Sequence, residues 1–199
     1  MKERFNALLC QMESTTVSEK IFAVVERYYS DGRQYHNLDH IKFCLDQFRE
    51  VDELAHDKQE VRAAIWFHDI VDDVEECARV AEFIFRMVGL DDYSVKHIVD
   101  LILVTNCHDN PQGVDQQLMI DCDLAILGQP EDVYIDYTNK LREEAYKSVK
   151  DQFAFLRKRF LEGFLERDTI FQTYGFIERY EEGARLNIKN EIKNLPYYE

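Results

Sequence analysis

Glycine and proline are scarce in this chain, at seven and three among 199 residues. Sandwiches and barrels turn often and draw on both residue types, so the count argues against an all-β fold and for an all-α one. Paired cysteines are missing too. The five present, Cys10, Cys44, Cys77, Cys107 and Cys122, are odd in number and never spaced as CxxC. That argues against a disulfide framework or a cysteine-built zinc site, and for reduced thiols in a cytoplasmic setting. Long apolar runs are absent. The longest near the middle of the chain is Ala63 to Phe67, far below the ~20 residues of a membrane helix. The opening MKERFNALLC lacks the apolar core that a secretory signal needs. Positive charge is also short: 24 Lys and Arg face 39 Asp and Glu, a formal net charge of −15. Neither nucleic-acid polymer nor anionic membrane is an expected partner, since both need basic faces.

What is present suits one well-packed domain. Hydrophobic residues make up 46%, and a chain of this length favours a single core. The apolar spacing is helical almost throughout. Val17, Ile21, Val24, Val25 and Tyr28 form one stripe, and Leu38, Ile41, Leu45 and Phe48 form the next, in a helix starting near Asn37. Cys77, Val80, Ala81, Ile84 and Val88 predict a helix ending at Gly89, and Val95 to Thr105 predict another. CHDNPQG reads as a loop, followed by a short helix over 115–127. From about 131 a C-terminal extension of long helices is expected. It carries Tyr134, Tyr137 and Tyr146 as packing residues, then Phe153, Leu156, Phe160 and Phe164, then a last helix from Phe176 towards Pro196.

Chemistry concentrates in a few His and Asp residues set in apolar surroundings. Of three His-Asp pairs, His56-Asp57 and His108-Asp109 lie in polar stretches, whereas His68-Asp69 interrupts AAIWFHDIV. A buried carboxylate needs a compensating cation, arginine or metal. His40 begins another apolar stripe, and His36 shares its face if the helix reaches back one turn. Asp121 and Asp123 interrupt a third apolar run, MIDCDLAIL. Imidazole with carboxylate suits Mn, Fe, Co, Ni or Zn better than Ca, with Mg also admissible.

The stretches RQYHNLDHI, AAIWFHDIV and DCDLAILG, with KLREEAY, FLERDTIF and EGARLN downstream, resemble the HD superfamily of metal-dependent phosphohydrolases. The likeness is closest to a bacterial-type subfamily known as predicted metal-dependent HD phosphohydrolases and covers nearly the whole chain. It implies a single-domain all-α HD-type bundle with a metal site in its core. His40, His68, Asp69 and Asp123 would hold one or two divalent ions. Asp123 is preferred to Asp121 because an apolar residue follows it, and His36 is the reserve for the first histidine. The implied reaction is hydrolysis of a small phosphorylated substrate, for instance a nucleotide, by metal-activated water. Asp69 would take part in catalysis, and His108 or His36 would protonate the leaving group. Arg33 is the first choice for the phosphate oxygens, ahead of Arg142 and Arg185. Asp72 departs from the family pattern, while Glu75 and Glu76 fit an acidic position of it. A non-catalytic nucleotide-binding or sensory HD domain is the alternative, with di-iron oxidative chemistry third. A homodimer stays open.

The acid is unevenly spread. Residues 1–139 hold 12 basic and 28 acidic side chains, and residues 140–199 hold 12 and 11. A phosphate is therefore expected to enter the acidic part only where a divalent ion reverses the local sign.

Overall fold

A computed structural model of the chain describes residues 1–11, 18–149 and 152–195. Among these residues there are helices and no strands. Contacts group into two units, Met1–Cys122 and Asp123–Glu199. The division falls inside a helix, Val114–Leu124, so the last turn of that helix is covalently continuous with the first unit.

The first unit contains α1 (Lys2–Gln11), α2 (Ser18–Ser30), α3 (Leu38–Arg49), α4 (Lys58–Phe67), α5 (Val74–Met87), α6 (Asp92–Leu103) and α7 (Val114–Leu124). Several helix starts are written locally. Asn37 caps α3 by accepting from the amides of Asp39 and His40, and Asp57, Asp73 and Asp91 do the same for α4, α5 and α6. The polar pair His56-Asp57 thus supplies a helix cap. Gly89 takes φ 93 and ends α5, with the Leu90 amide reaching back 3.0 Å to the Phe85 carbonyl.

The core of this unit is aromatic. Phe5 meets Trp66 edge to face at 5.0 Å, and Phe67 meets Phe85 at 5.1 Å. Phe5, Leu8 and Leu9 of α1 are buried in it, although the sequence marked no helix there. In α2 the buried stripe is Ile21, Phe22, Val25 and Tyr29, whereas Val24 and Tyr28 are about half exposed. The expected stripe is corrected by a fraction of a turn, and Val17 lies outside the described residues. A polar cluster ties α4, α6 and α7 together. His97 pairs with buried Glu60, its Nε2 lies 3.7 Å from buried Asp115, and Asp115 accepts the amides of His56 at 2.7 Å and Asp57 at 3.0 Å.

The second unit contains a short 3-10 turn, Ala125–Gly128, then α8 (Glu131–Val149), α9 (Phe153–Leu165) and α10 (Tyr174–Asn194). Tyr134 and Tyr137 are buried as expected. The side chain of Tyr146, and all of Pro196, lie outside what is described. In α9 the buried residues are Ala154, Arg157, Leu161 and Phe164, while Leu156 and Phe160 are over two-fifths exposed, which corrects that stripe too. Arg157 is buried because it pairs with Glu191 at 2.8 Å. The 3-10 turn sits directly on α10. A Cβ on Gly128 would lie 2.5 Å from the Tyr180 Cβ, and Asn187 donates to the carbonyls of Leu127 and Gln129, both at 2.8 Å.

Candidate metal centre

Three helix ends bring the candidate ligands together. α3 begins one residue after its Asn37 cap, so His40 stands in its first turn with its side chain buried, and Cys44 follows one turn later on the same face. α4 stops at Phe67, and His68 is its C-cap. His68 and Asp69 therefore occupy the turn after the helix rather than its middle. α7 carries Asp123 in its last turn. Ligand atoms of His40, Cys44, His68 and Asp123 all lie within 4.8 Å of one another.

Asp69 closes the group from the side. Its Oδ2 lies 3.1 Å from His40 Nε2 and 3.0 Å from His68 Nε2, and the two Nε2 atoms are 3.2 Å apart. The tautomer of His68 follows from its other nitrogen. Nδ1 lies 3.0 Å from the Ile65 carbonyl. A carbonyl only accepts, so Nδ1 carries the proton and neutral His68 presents a lone pair at Nε2. With both rings neutral, a carboxylate oxygen and two imidazole nitrogens converge on one small volume with at most one proton, on His40, to share. Such a set calls for a positive centre. Protonated histidines can supply that positive charge themselves: burial pushes the Asp69 carboxyl up, but charge on His68 and His36, with hydrogen bonds from His40 and His68, outweighs this and holds it well below the usual carboxylate range.

Surrounding groups fix the turn. Arg33 donates to the Asp69 carbonyl, to the His36 carbonyl at 3.2 Å and to Asp72 at 2.9 Å. Its guanidinium is spent largely on holding the His68-Asp69 turn against the His36 turn. Asp72 is exposed and supplies its partner. Tyr29 donates its hydroxyl to the Trp66 carbonyl at 2.9 Å, and the Cys77 thiol donates to the Val71 carbonyl at 3.2 Å. Both brace the backbone on either side of His68-Asp69.

The other candidates fall in varied places. His36 precedes α3 rather than extending it, yet its ring centroid is 5.9 Å from that of His40. His108, half-buried at φ 50 in the turn after Val104–Asn106, is not one of the converging ligands. Asp121 is fully buried and is not one of them either. Glu75 and Glu76 are exposed and paired with Arg79. In the second unit, Arg185 holds Glu181 at 2.7 Å and the carbonyls of Leu165, Arg167 and Asp168, a structural clamp. Arg142 lines a cavity of about 150 Å³ beside Thr138 and Glu191 in the same unit. The cluster member that sequence reasoning missed is Cys44, whose Sγ lies 3.8 and 3.7 Å from the two ring nitrogens of His40. Its signal was the four-residue spacing from His40. Cys44, Cys77 and Cys122 are buried thiols outside any disulfide, Cys107 is an exposed one, and the Cys10 side chain lies outside what is described. No helix among the described residues is long and apolar enough to cross a membrane. No family model, curated protein or solved structure matches the chain.

Proposed function

We propose that the chain is a metal-dependent phosphohydrolase of the HD type, acting on a small phosphorylated substrate. The observation that carries this reading is the triangle of donor atoms made by His40 Nε2, His68 Nε2 and Asp69 Oδ2, with sides of 3.0 to 3.2 Å. Neighbouring ligands on a divalent ion with bonds of about 2.1 Å stand about 3.0–3.4 Å apart, so the donor set fits such an ion. His40, His68, Asp69 and Asp123 would hold it. Two imidazoles, with a thiol close by, favour a transition metal over Mg. When bound, a divalent ion supplies Lewis acidity, acidifying water towards neutral pH and drawing charge from a phosphoryl oxygen.

The rest of the work belongs to the chain. The Ile65 carbonyl keeps His68 in the ligating tautomer. Arg33 orients the Asp69 turn through its backbone, a positioning role in place of the phosphate contact expected of it. His36, half exposed and next to His40, is the imidazole placed to hand a proton to a leaving group.

The test measures two things. Purified protein retains a stoichiometric transition metal after dialysis, and it hydrolyses members of a nucleotide and phosphomonoester panel with Mn, Co or Ni. Asp69→Ala loses both. Wild type and variant behaving alike, with no metal in either, would sink the proposal. Metal and nucleotide binding without turnover would instead favour a sensory domain.

A further inference from the structure

A second place in the first unit gathers charge of the sign this chain lacks. A cavity of about 300 Å³ lies between α1, α3 and α4 and is lined by Arg4, Arg49 and Arg62, one from each helix, with Gln59 beside them. No Asp or Glu lines it. This occurs in a region where acidic side chains outnumber basic ones more than two to one. Leu45 and Trp66 form its apolar floor. The volume is at the lower end of small-molecule sites, which span about 300–1,000 Å³.

The arginines are placed by the fold and not consumed by it. Arg4 gives one nitrogen to Asp46 at 2.7 Å, and its Nη1 is buried without a hydrogen-bond partner among the described residues. Arg62 gives one nitrogen to Asp52 and lies 5.8 Å above the Phe48 ring, which fixes its plane. Arg49 is exposed and has no carboxylate partner among the described residues. The Gln59 Oε1 is likewise buried and unpaired. A charged donor and a neutral acceptor left over in one pocket describe a ligand that is anionic on one side and donates a hydrogen bond on the other. Guanidinium forks match the oxygen spacing of phosphates.

We propose that the pocket between Arg4, Arg49 and Arg62 binds a small phosphorylated molecule of two or more negative charges, at a site separate from the His and Asp cluster. Cluster and pocket use different faces of α3 and α4: His40 and Cys44 against Leu45 and Arg49, and His68 beyond the end of the helix that carries Arg62. The inference does not rest on hydrolysis or on a metal. It also alters the expectation that phosphate enters this half of the chain only through a divalent ion.

The test uses the full chain stripped of metal on a chelating resin, with diphosphate as the probe and citrate as the competing oxyanion, by titration calorimetry. Diphosphate binds saturably and more tightly than citrate. Arg49→Glu and, independently, Arg62→Gln weaken it about tenfold or more, the scale of one lost charged hydrogen bond. Asp69→Ala leaves it unchanged. Absence of saturable binding by folded protein overturns the proposal, as does binding that survives both arginine changes or is lost in Asp69→Ala. Citrate binding as tightly as diphosphate overturns the phosphate assignment.

Discussion

The Ile65 carbonyl, a single backbone acceptor, decides what His68 can do. By accepting a hydrogen bond from Nδ1–H it leaves the neutral ring a lone pair at Nε2 that faces His40 and Asp69. A histidine with a free Nδ1 would donate at Nε2 and satisfy Asp69 by itself. A different carboxylate shows how residue-scale charge couples to stability. For Asp46, burial pushes the carboxyl up, but hydrogen bonds from Lys42 and Arg4 more than offset this and hold it below its usual value. A folded-state pKa below the unfolded value of about 4 gives stability that is complete above that value and is lost as pH falls through the lower one. Urea midpoints of wild type and Asp46→Asn are therefore expected to differ at pH 7 and to draw together near pH 3. A gap that is constant with pH would show that the Arg4–Asp46 contact acts through packing alone. At this scale His40, His68, Asp69 and Asp123 were legible because polar residues inside apolar runs announce themselves. Cys44 was not, because a cysteine in an apolar stripe looks like core.

At the scale of elements, caps were readable and packing faces less so. Asn37 and Gly89 have local jobs, a side-chain acceptor and a positive φ, which their own chemistry specifies. The buried side of α2 or α9 depends on what lies opposite, and two adjacent apolar stripes serve equally until a partner chooses one. In α2 the choice went to Phe22 and Tyr29 over Val24 and Tyr28. In α9 the ion pair with the part-buried Glu191 of α10 drew in Arg157, a residue that no apolar pattern would place inside. The contact between the 3-10 turn and α10 is likewise invisible in sequence, because it is made by backbone. Gly128→Ala would set a methyl 2.5–2.9 Å from the Cβ, carbonyl oxygen and Cα of Tyr180. These atoms are in or next to a helix backbone and cannot yield cheaply, so a loss of about 2 kcal/mol or more is expected. Chemical denaturation measures it, and a change within about 0.5 kcal/mol would mean that the turn moves freely.

Over the whole molecule the charge is the dominant fact. Forty side chains in residues 1–139 are Lys, Arg, Asp or Glu, and 28 of them are acidic. The expected result in an electrophoretic mobility assay at physiological salt is no shift of duplex DNA or RNA at micromolar protein. A salt-sensitive shift would show that the arginine cavity is part of a wider basic face. Composition and spacing by themselves determined that the chain is helical, where most helices start and stop, and which His and Asp sit in apolar runs. Those are consequences of local propensity, capping and periodicity, and each is encoded within a few residues. Only the tertiary structure decided which of those polar residues meet, that Cys44 stands among them, that Arg33 holds a backbone turn, and that three arginines from three helices share a cavity. Such meetings depend on how separate helices pack, and side chains tens of residues apart carry no local mark of it.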